Sequence, residues 1–213
     1  MVRRNPHWLA LSIAWHTGLG YYGYMLTEDI SGLPISDVLE SLGNGLANSN
    51  ELVLQAPPGA GKTTVVPLAL LERGWLAGQT ILMLEPRRMA ARAAATRMAQ
   101  LLGERVGETV GYRIRLDTCV SDQTRIEVIT EGILTRRLQS DPGLEGVGLV
   151  IFDEFHERSL DSDLCLALSL QGREMFREGP PLKLLVMSAT LDGEAVAGLL
   201  GGATVVTSSG RQH

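Results

Sequence analysis

Residues 56–64 read Ala56-Pro57-Pro58-Gly59-Ala60-Gly61-Lys62-Thr63-Thr64, directly after the apolar run 52–56 (LVLQA) and directly before a segment of helical period. A strand that breaks into a glycine-rich turn and then opens a helix makes a cradle for phosphate. Gly59 and Gly61 permit backbone conformations that turn N–H groups toward an anion, and the helix N-terminus adds its own donors and dipole. Lys62 is placed to reach the β and γ phosphates of a nucleotide, and the Thr63 hydroxyl to bind Mg²⁺. Pro58, Ala60 and Thr64 complete the loop. The opening position, usually Gly in this pattern, is Ala56. The neighbouring α/β alternative is a dinucleotide site, but no third glycine stands at the required step, which disfavours NAD.

Working outward, short apolar runs alternate with helical segments from Leu33 onward. The runs are 52–56, 80–84 (TILML), 126–130 (IEVIT), 148–152 (GLVIF), 183–187 (KLLVM) and 203–206 (ATVV), with 110–115 (VGYRIR) as a further extended piece at the sheet edge. Helices are expected over 35–46, 62–73 with Gly74 as its stop, 88–102 with Gly103 as its stop, 132–139, 160–171 and 192–200. This pattern predicts an α/β fold, a mostly parallel sheet with helices on both faces, in one domain over 33–213 after an amino-terminal extension, 1–32.

A second chemical signal lies about 90 residues beyond the loop, where Leu149-Val150-Ile151-Phe152 runs into Asp153-Glu154-Phe155-His156-Glu157-Arg158. An apolar strand that ends in two carboxylates delivers both to one sheet edge. There Asp153 can hold the hydration shell of Mg²⁺ and Glu154 can polarise an attacking water. Three further stretches also end strands. Pro86-Arg87-Arg88 opens an Ala-rich helix carrying Arg92 and Arg97, with guanidinium groups near a helix N-terminus where phosphates bind. Thr130-Glu131-Gly132 offers a hydroxyl and a flexible backbone for a phosphate contact. Ser188-Ala189-Thr190 brings two hydroxyls close to the nucleotide. Singly each reads as a turn or a cap; together they line one edge of one sheet.

Composition narrows the class. The chain has 213 residues, 45% hydrophobic and 20% charged, which is ordinary globular usage and excludes wholesale disorder and a polytopic membrane protein. The formal net charge is −5, yet residues 81–140 carry ten basic and seven acidic groups, so a polyanion site belongs in that middle segment. Lys62 and Lys183 are the only two lysines among 19 basic residues. Cys119 and Cys165 have no partners at metal-ligand spacing, which suits a reducing, cytoplasmic setting and indicates neither zinc nor a disulfide framework. From Asn5 to Thr27 there is no charged residue, and Trp8, Trp15, Tyr21, Tyr22 and Tyr24 lie there behind Arg3 and Arg4. A signal peptide or anchor is weighed on that ground. Pro6, His7, His16, Thr17 and three glycines weaken it, no cleavage site follows, and no membrane is expected; an extension upstream of a start at Met25 is an equal reading.

The set APPGAGKTT, EPRRMAAR, TEGIL, DEFHERSLDSDL and MSATLD, in that order and spacing, resembles superfamily 2 helicases of the DEAH/RHA group, and within it the bacterial HrpB family, over about residues 33–211. Phe155 departs from the Ala usual in the group. The resemblance implies a RecA-like P-loop NTPase domain, the amino-terminal motor of an ATP-dependent RNA helicase that uses ATP and Mg²⁺. By the same resemblance Asp153 and Glu154 serve Mg²⁺ and water activation, and His156 links the nucleotide site to a second motor domain. Arg87, Arg88 and Thr130 would touch the backbone of an RNA or DNA single strand. Arg97 would stack on adenine, and Ser188 with Thr190 would couple hydrolysis to strand separation. Nothing in the sequence resembles the arginine-bearing motif of the second RecA-like domain, so a fragment with little turnover of its own is expected. The alternatives are a nucleotide-regulated binding module without turnover and a small-molecule kinase, which should carry a lid and an acceptor pocket.

Overall fold

Side chains alternate along the central strands into two separate cores, which is why these strands read as unbroken apolar runs. In the computed structural model, which describes residues 32–189 and 193–209, Leu52, Leu54, Leu149, Ile151, Leu185 and Met187 face one core, and Val53, Val150, Phe152, Leu184 and Val186 face the other. The strands are β1 (Glu51–Gln55), β2 (Thr80–Leu84), β3 (Val110–Ile114), β4 (Asp117–Cys119), β5 (Ile126–Ile129), β6 (Val147–Phe152), β7 (Lys183–Ser188) and β8 (Thr204–Thr207). They form one eight-stranded sheet in the order β4-β3-β5-β2-β6-β7-β1-β8. Every pairing is parallel except β3 with β4.

Helices α1 (Leu39–Asn48), α2 (Lys62–Leu70) and α3 (Arg88–Leu101) cover the first core, and α4 (Glu131–Ser140), α5 (Leu160–Phe176) and α6 (Gly193–Leu199) the second. Parallel strands put all their C-terminal ends on one edge, where open α/β sheets bind ligands. β7 lies between β1 and β6, so the phosphate loop and the paired carboxylates are separated by two strand spacings, roughly 10 Å. Among the described residues no helix is long and apolar enough to cross a membrane. The extension through Ser31 lies outside the described residues.

The sheet follows the expected runs with shifts of a residue or so at the ends, and the helices depart further. The segment expected as one helix from residue 35 begins as a 3-10 turn, Pro34–Val38, and continues as α1, because the Ile35 N–H is committed to the Ala60 carbonyl of the phosphate loop (3.2 Å). α2 ends at Leu70 rather than at Gly74. Its last turns tighten into i to i+3 bonds, and Arg73 reaches across to Glu40 and the Leu39 carbonyl of α1. α5 runs on to Phe176, beyond the expected 171.

The main unexpected element is β4, which turns the edge piece into a hairpin. Two-residue hairpin turns usually advertise themselves with Gly or Asn at positive φ, but here Leu116 holds φ +67°. Gly111 makes the close pairing possible: a Cβ there would meet the Cys119 carbonyl oxygen at 2.4 Å. Arg92 of α3 secures the hairpin, its guanidinium 5.5 Å over the Tyr112 ring and ion-paired with Asp117.

Candidate functional site

The phosphate loop owes its shape to two left-handed glycines, Gly59 at φ +74° and Gly61 at φ +97°, the latter capping α2. The positive φ of Gly61 is one that other residues rarely adopt, and a Cβ there would also press on Leu33 Cδ1 at 2.9 Å and Ile35 Cγ2 at 3.2 Å, where the loop rests on the Pro34–Val38 turn. Lys62 begins α2 with 4% of its surface exposed, and its Nζ donates to the carbonyls of Ala56 (2.6 Å) and Pro57 (3.1 Å). Burial lowers the pKa of its ammonium, against the opposing pull of Asp153 and then Glu154. A cation arched over backbone donors, beside a hydroxyl and a carboxylate, is a donor set that fits a magnesium nucleotide.

The carboxylates arrive at the end of β6. Asp153 is buried, and its N–H continues the ladder to the Leu84 carbonyl (3.0 Å). Its Oδ2 accepts from the Thr63 hydroxyl at 2.5 Å, and its Oδ1 from the Glu154 N–H at 2.8 Å. The chain then turns sharply: Glu154 takes φ +50° and opens a 3-10 turn, Phe155–Glu157. Glu154 Oε2 lies 3.4 Å from His156 Nε2, while His156 Nδ1 accepts from the Ala189 N–H at 3.3 Å. His156 thus ties the carboxylate turn to the end of β7 within this chain. Phe155 anchors that turn, 2% exposed, edge-on to Phe152 with centroids 6.2 Å apart, and with the Arg158 guanidinium 5.4 Å over its ring.

Sequence reasoning passed over Glu85. It follows β2 directly and is 2% exposed. Period-2 alternation sets Met83 and Glu85 on the same face as Ile151 and Asp153. Burial, and then the Asp153 charge, push its pKa from 4.5 up to about 9. The signal was present: a carboxylate closing an apolar run, the same mark that pointed to Asp153.

The structure brings Lys62, Thr63, Asp153, Glu154 and His156 together. Arg87, Arg88 and Thr130 stand at the same sheet edge, after β2 and β5. Arg87 pairs with Glu157 (2.7 Å), which joins the second strand end to the carboxylate turn. Arg88 is exposed at the first turn of α3, and Thr130 precedes α4 without a side-chain cap bond. A cleft of about 230 Å³ opens there, walled by Arg87, Glu131, Glu154 and Arg158 among others. Ser188 is buried at the end of β7, its carbonyl accepting from the Ala56 N–H; Thr190 lies outside the described residues. Arg97 is exposed nine residues into α3, about 13 Å along the axis from Arg88. The hairpin tip, Arg115 and a 95% exposed Leu116, projects from the same edge one strand beyond Thr130, and the sequence reading did not single it out.

Sheet order, phosphate loop and strand-end carboxylates define a RecA-like α/β domain. Residues 38–198 match the model of the DEAD/DEAH box helicase family, and the chain belongs to that family. It is 53% identical over 182 residues to the ATP-dependent RNA helicase HrpB of Escherichia coli K12, covering 85% of this chain and 22% of that protein. It is 36% identical over 191 residues to a human protein described as putative ATP-dependent RNA helicase DHX57, covering 87% of this chain and 14% of that one. Crystal structures of E. coli HrpB superpose with a TM-score of 0.79 at 52% and 53% identity, over 84% of this chain and 23% and 22% of theirs. The chain therefore spans less than a quarter of the length of these relatives.

Proposed function

We propose that residues 33–213 are the ATP- and Mg²⁺-binding amino-terminal motor domain of an ATP-dependent RNA helicase of the HrpB type. The observation that carries this reading is the 2.5 Å bond from Thr63 to Asp153, which joins the two chemical motifs across 90 residues of chain. Mg²⁺ would be held through Thr63 and Asp153, where it would supply charge neutralisation to the phosphates. Lys62 leaves its loop carbonyls for the phosphate oxygens, and the N–H groups of Gly59, Ala60, Gly61, Thr63 and Thr64 bind the chain of phosphates. Glu154, held beside His156, takes the proton of the attacking water. Its backbone is left-handed, Asp153 accepts from its N–H, and its own carboxylate lies beside His156. Arg97 faces the base.

RNA, or a DNA single strand, runs along the strand ends through backbone contacts to Arg87, Arg88 and Thr130, with the hairpin tip at Arg115 extending the track. Phosphate contacts of this kind read little sequence. Ser188, whose neighbour Ala189 bonds His156, and Thr190 pass the state of the nucleotide to that track. Efficient turnover requires arginines from a second RecA-like domain, since such groups account for about 10³–10⁵ in rate in phosphoryl transfer. The free thiols of Cys119 and Cys165 accord with a cytoplasmic setting.

The test compares this chain with Glu154→Gln. Both should bind a fluorescent ATP analogue in Mg²⁺ with similar affinity and bind single-stranded RNA with strong salt dependence. In a two-domain protein that carries the same site, turnover should fall by about 10²–10⁴ in the variant. Unchanged turnover removes Glu154 as the base. RNA-stimulated hydrolysis by this chain alone at helicase-like rates removes the need for a second domain.

A further inference from the structure

We propose that Arg113 and Arg137, held side by side on the buried carboxylate of Glu127, form a phosphate rest that carries a nucleic-acid single strand off the strand ends and down the β3 side of the sheet. The inference deepens the reading of a track past Thr130 and rests on it. Alternation settles the face. Val110, Tyr112 and Ile114 of β3 and Ile126 and Val128 of β5 enter the first core, so Arg113 and Glu127 point to the other side. No residue of β3 belongs to the second core, and that corner of the sheet is left to polar groups. Arg113 pairs in register with Ile129, the residue before Thr130, about 5 Å away across the ladder. α4 starts just beyond Thr130 and runs back along β5, which returns Arg137 to Glu127.

Arg113 Nε donates to Glu127 Oε1 at 2.7 Å, and Arg137 Nη1 to Oε2 at 3.1 Å. The carboxylate is buried, while the arginine side chains are 43% and 33% exposed. Burying a carboxylate under two cations contributes little net stability, because desolvation offsets the attraction. Its effect is to fix two like charges next to each other with one positive charge in surplus. Among the described residues both η nitrogens of Arg113, and Nε and Nη2 of Arg137, have no partner, so each head keeps N–H groups for an anion. Arg136 on α4 and Arg115, two residues past Arg113, are exposed and add the same sign. The cluster begins where Thr130 and the hairpin tip leave off, so the anion that suits it is the next phosphate of the same strand.

The experiment measures poly(U) binding to the full chain across a salt series. The triple variant Arg113→Gln/Glu127→Gln/Arg137→Gln removes both cations together with the carboxylate they cover, so no buried charge is stranded. It lowers the net charge by one, since two positive charges and one negative are lost. Arg105→Gln, at an exposed position before β3 on the opposite edge, makes the same change of net charge and is the control. Each phosphate contact to a single strand contributes about 0.7 to the slope of log affinity on log salt. The triple variant should therefore be shallower than the parent by about 1.4, and Arg105→Gln should match the parent. Melting transitions verify folding; if the triple variant is unfolded, Arg113→Gln and Arg137→Gln singly should each lose about 0.7. A slope in the triple variant equal to that of Arg105→Gln overturns the proposal. So does polyglutamate binding that the triple variant loses while its poly(U) slope stays that of the parent, which would make the face a dock for an acidic protein. Arg88→Gln separates the two readings: a shallower slope there beside an unchanged triple variant removes the phosphate rest alone, whereas a parent without salt-dependent poly(U) binding removes the track and the rest with it.

Discussion

Replacing Phe155 by alanine turns Asp-Glu-Phe-His into Asp-Glu-Ala-His, the spelling usual in the DEAH group, so sequence comparison alone would rank it as harmless. The structure predicts a large loss. Phe155 is 2% exposed, packs edge-on against Phe152 and carries the Arg158 guanidinium over its face. Truncating a phenylalanine buried in this way costs about 3–5 kcal/mol through lost transfer energy and the cavity left behind. In a chain of this length each kcal/mol lowers the melting temperature by about 2–4 °C, so a drop on the order of 10 °C is expected. The loss reaches the site as well, because the turn anchored by Phe155 holds Glu154 against His156. Phe155→Leu, which keeps most of the volume, should cost under about 1.5 kcal/mol. Circular dichroism melts without nucleotide measure both. A shift below about 2 °C for Phe155→Ala would show that the ring holds nothing together and would refute the anchoring argument.

Lys62→Ala should abolish nucleotide binding in calorimetry while leaving the melt nearly unchanged, since among the described residues the hydrogen bonds of the side chain go to two loop carbonyls; parent-like ATP affinity would remove Lys62 from the cradle. Two glycine replacements in helices should have opposite signs. A Cβ on Gly172 of α5 would meet the Pro142 carbonyl oxygen at 2.1 Å, so Gly172→Ala should destabilise by about 1–3 kcal/mol, whereas Gly198 of α6 faces open space and Gly198→Ala should gain up to about 1 kcal/mol. Urea denaturation reads both. Glu85 holds its proton to about 9 when folded and to 4.5 when unfolded, so between those values the folded chain binds more protons and its stability falls as pH rises. Glu85→Gln removes that slope and should exceed the parent by on the order of 3 kcal/mol at pH 7, measured in EDTA; parallel stability profiles for the two proteins from pH 5 to 8 would show that Glu85 titrates normally.

The fold was legible because buried parallel strands leave a simple mark. Runs such as 81–84 and 149–152 are apolar at every position, the mark of a strand buried on both faces. The loop at 56–64 was legible for a related reason, since positive φ at Gly59 and Gly61 is a backbone demand that residue type alone reveals. Helix ends were less legible. The stop of α2 depends on Arg73 reaching α1, and the start of α1 on a bond from Ile35 to the phosphate loop; both are contacts between segments distant in sequence. β4 escaped because its turn is made by Leu116, with no Gly or Asn to announce it.

By itself the sequence determined the alternation of strands and helices, the cradle with Lys62 and Thr63, and the delivery of Asp153 and Glu154 to a strand end, all properties of contiguous residues. Tertiary structure alone decided that β7 stands between β1 and β6, that Thr63 bonds Asp153 across that gap, and that His156 turns back to Ala189. It alone set Glu85 beside Asp153. The physical reason is that strand order depends on how crossover helices bury their apolar faces, a balance summed over the whole chain. A carboxylate changes character when a second one is buried against it, and no local window of sequence contains both.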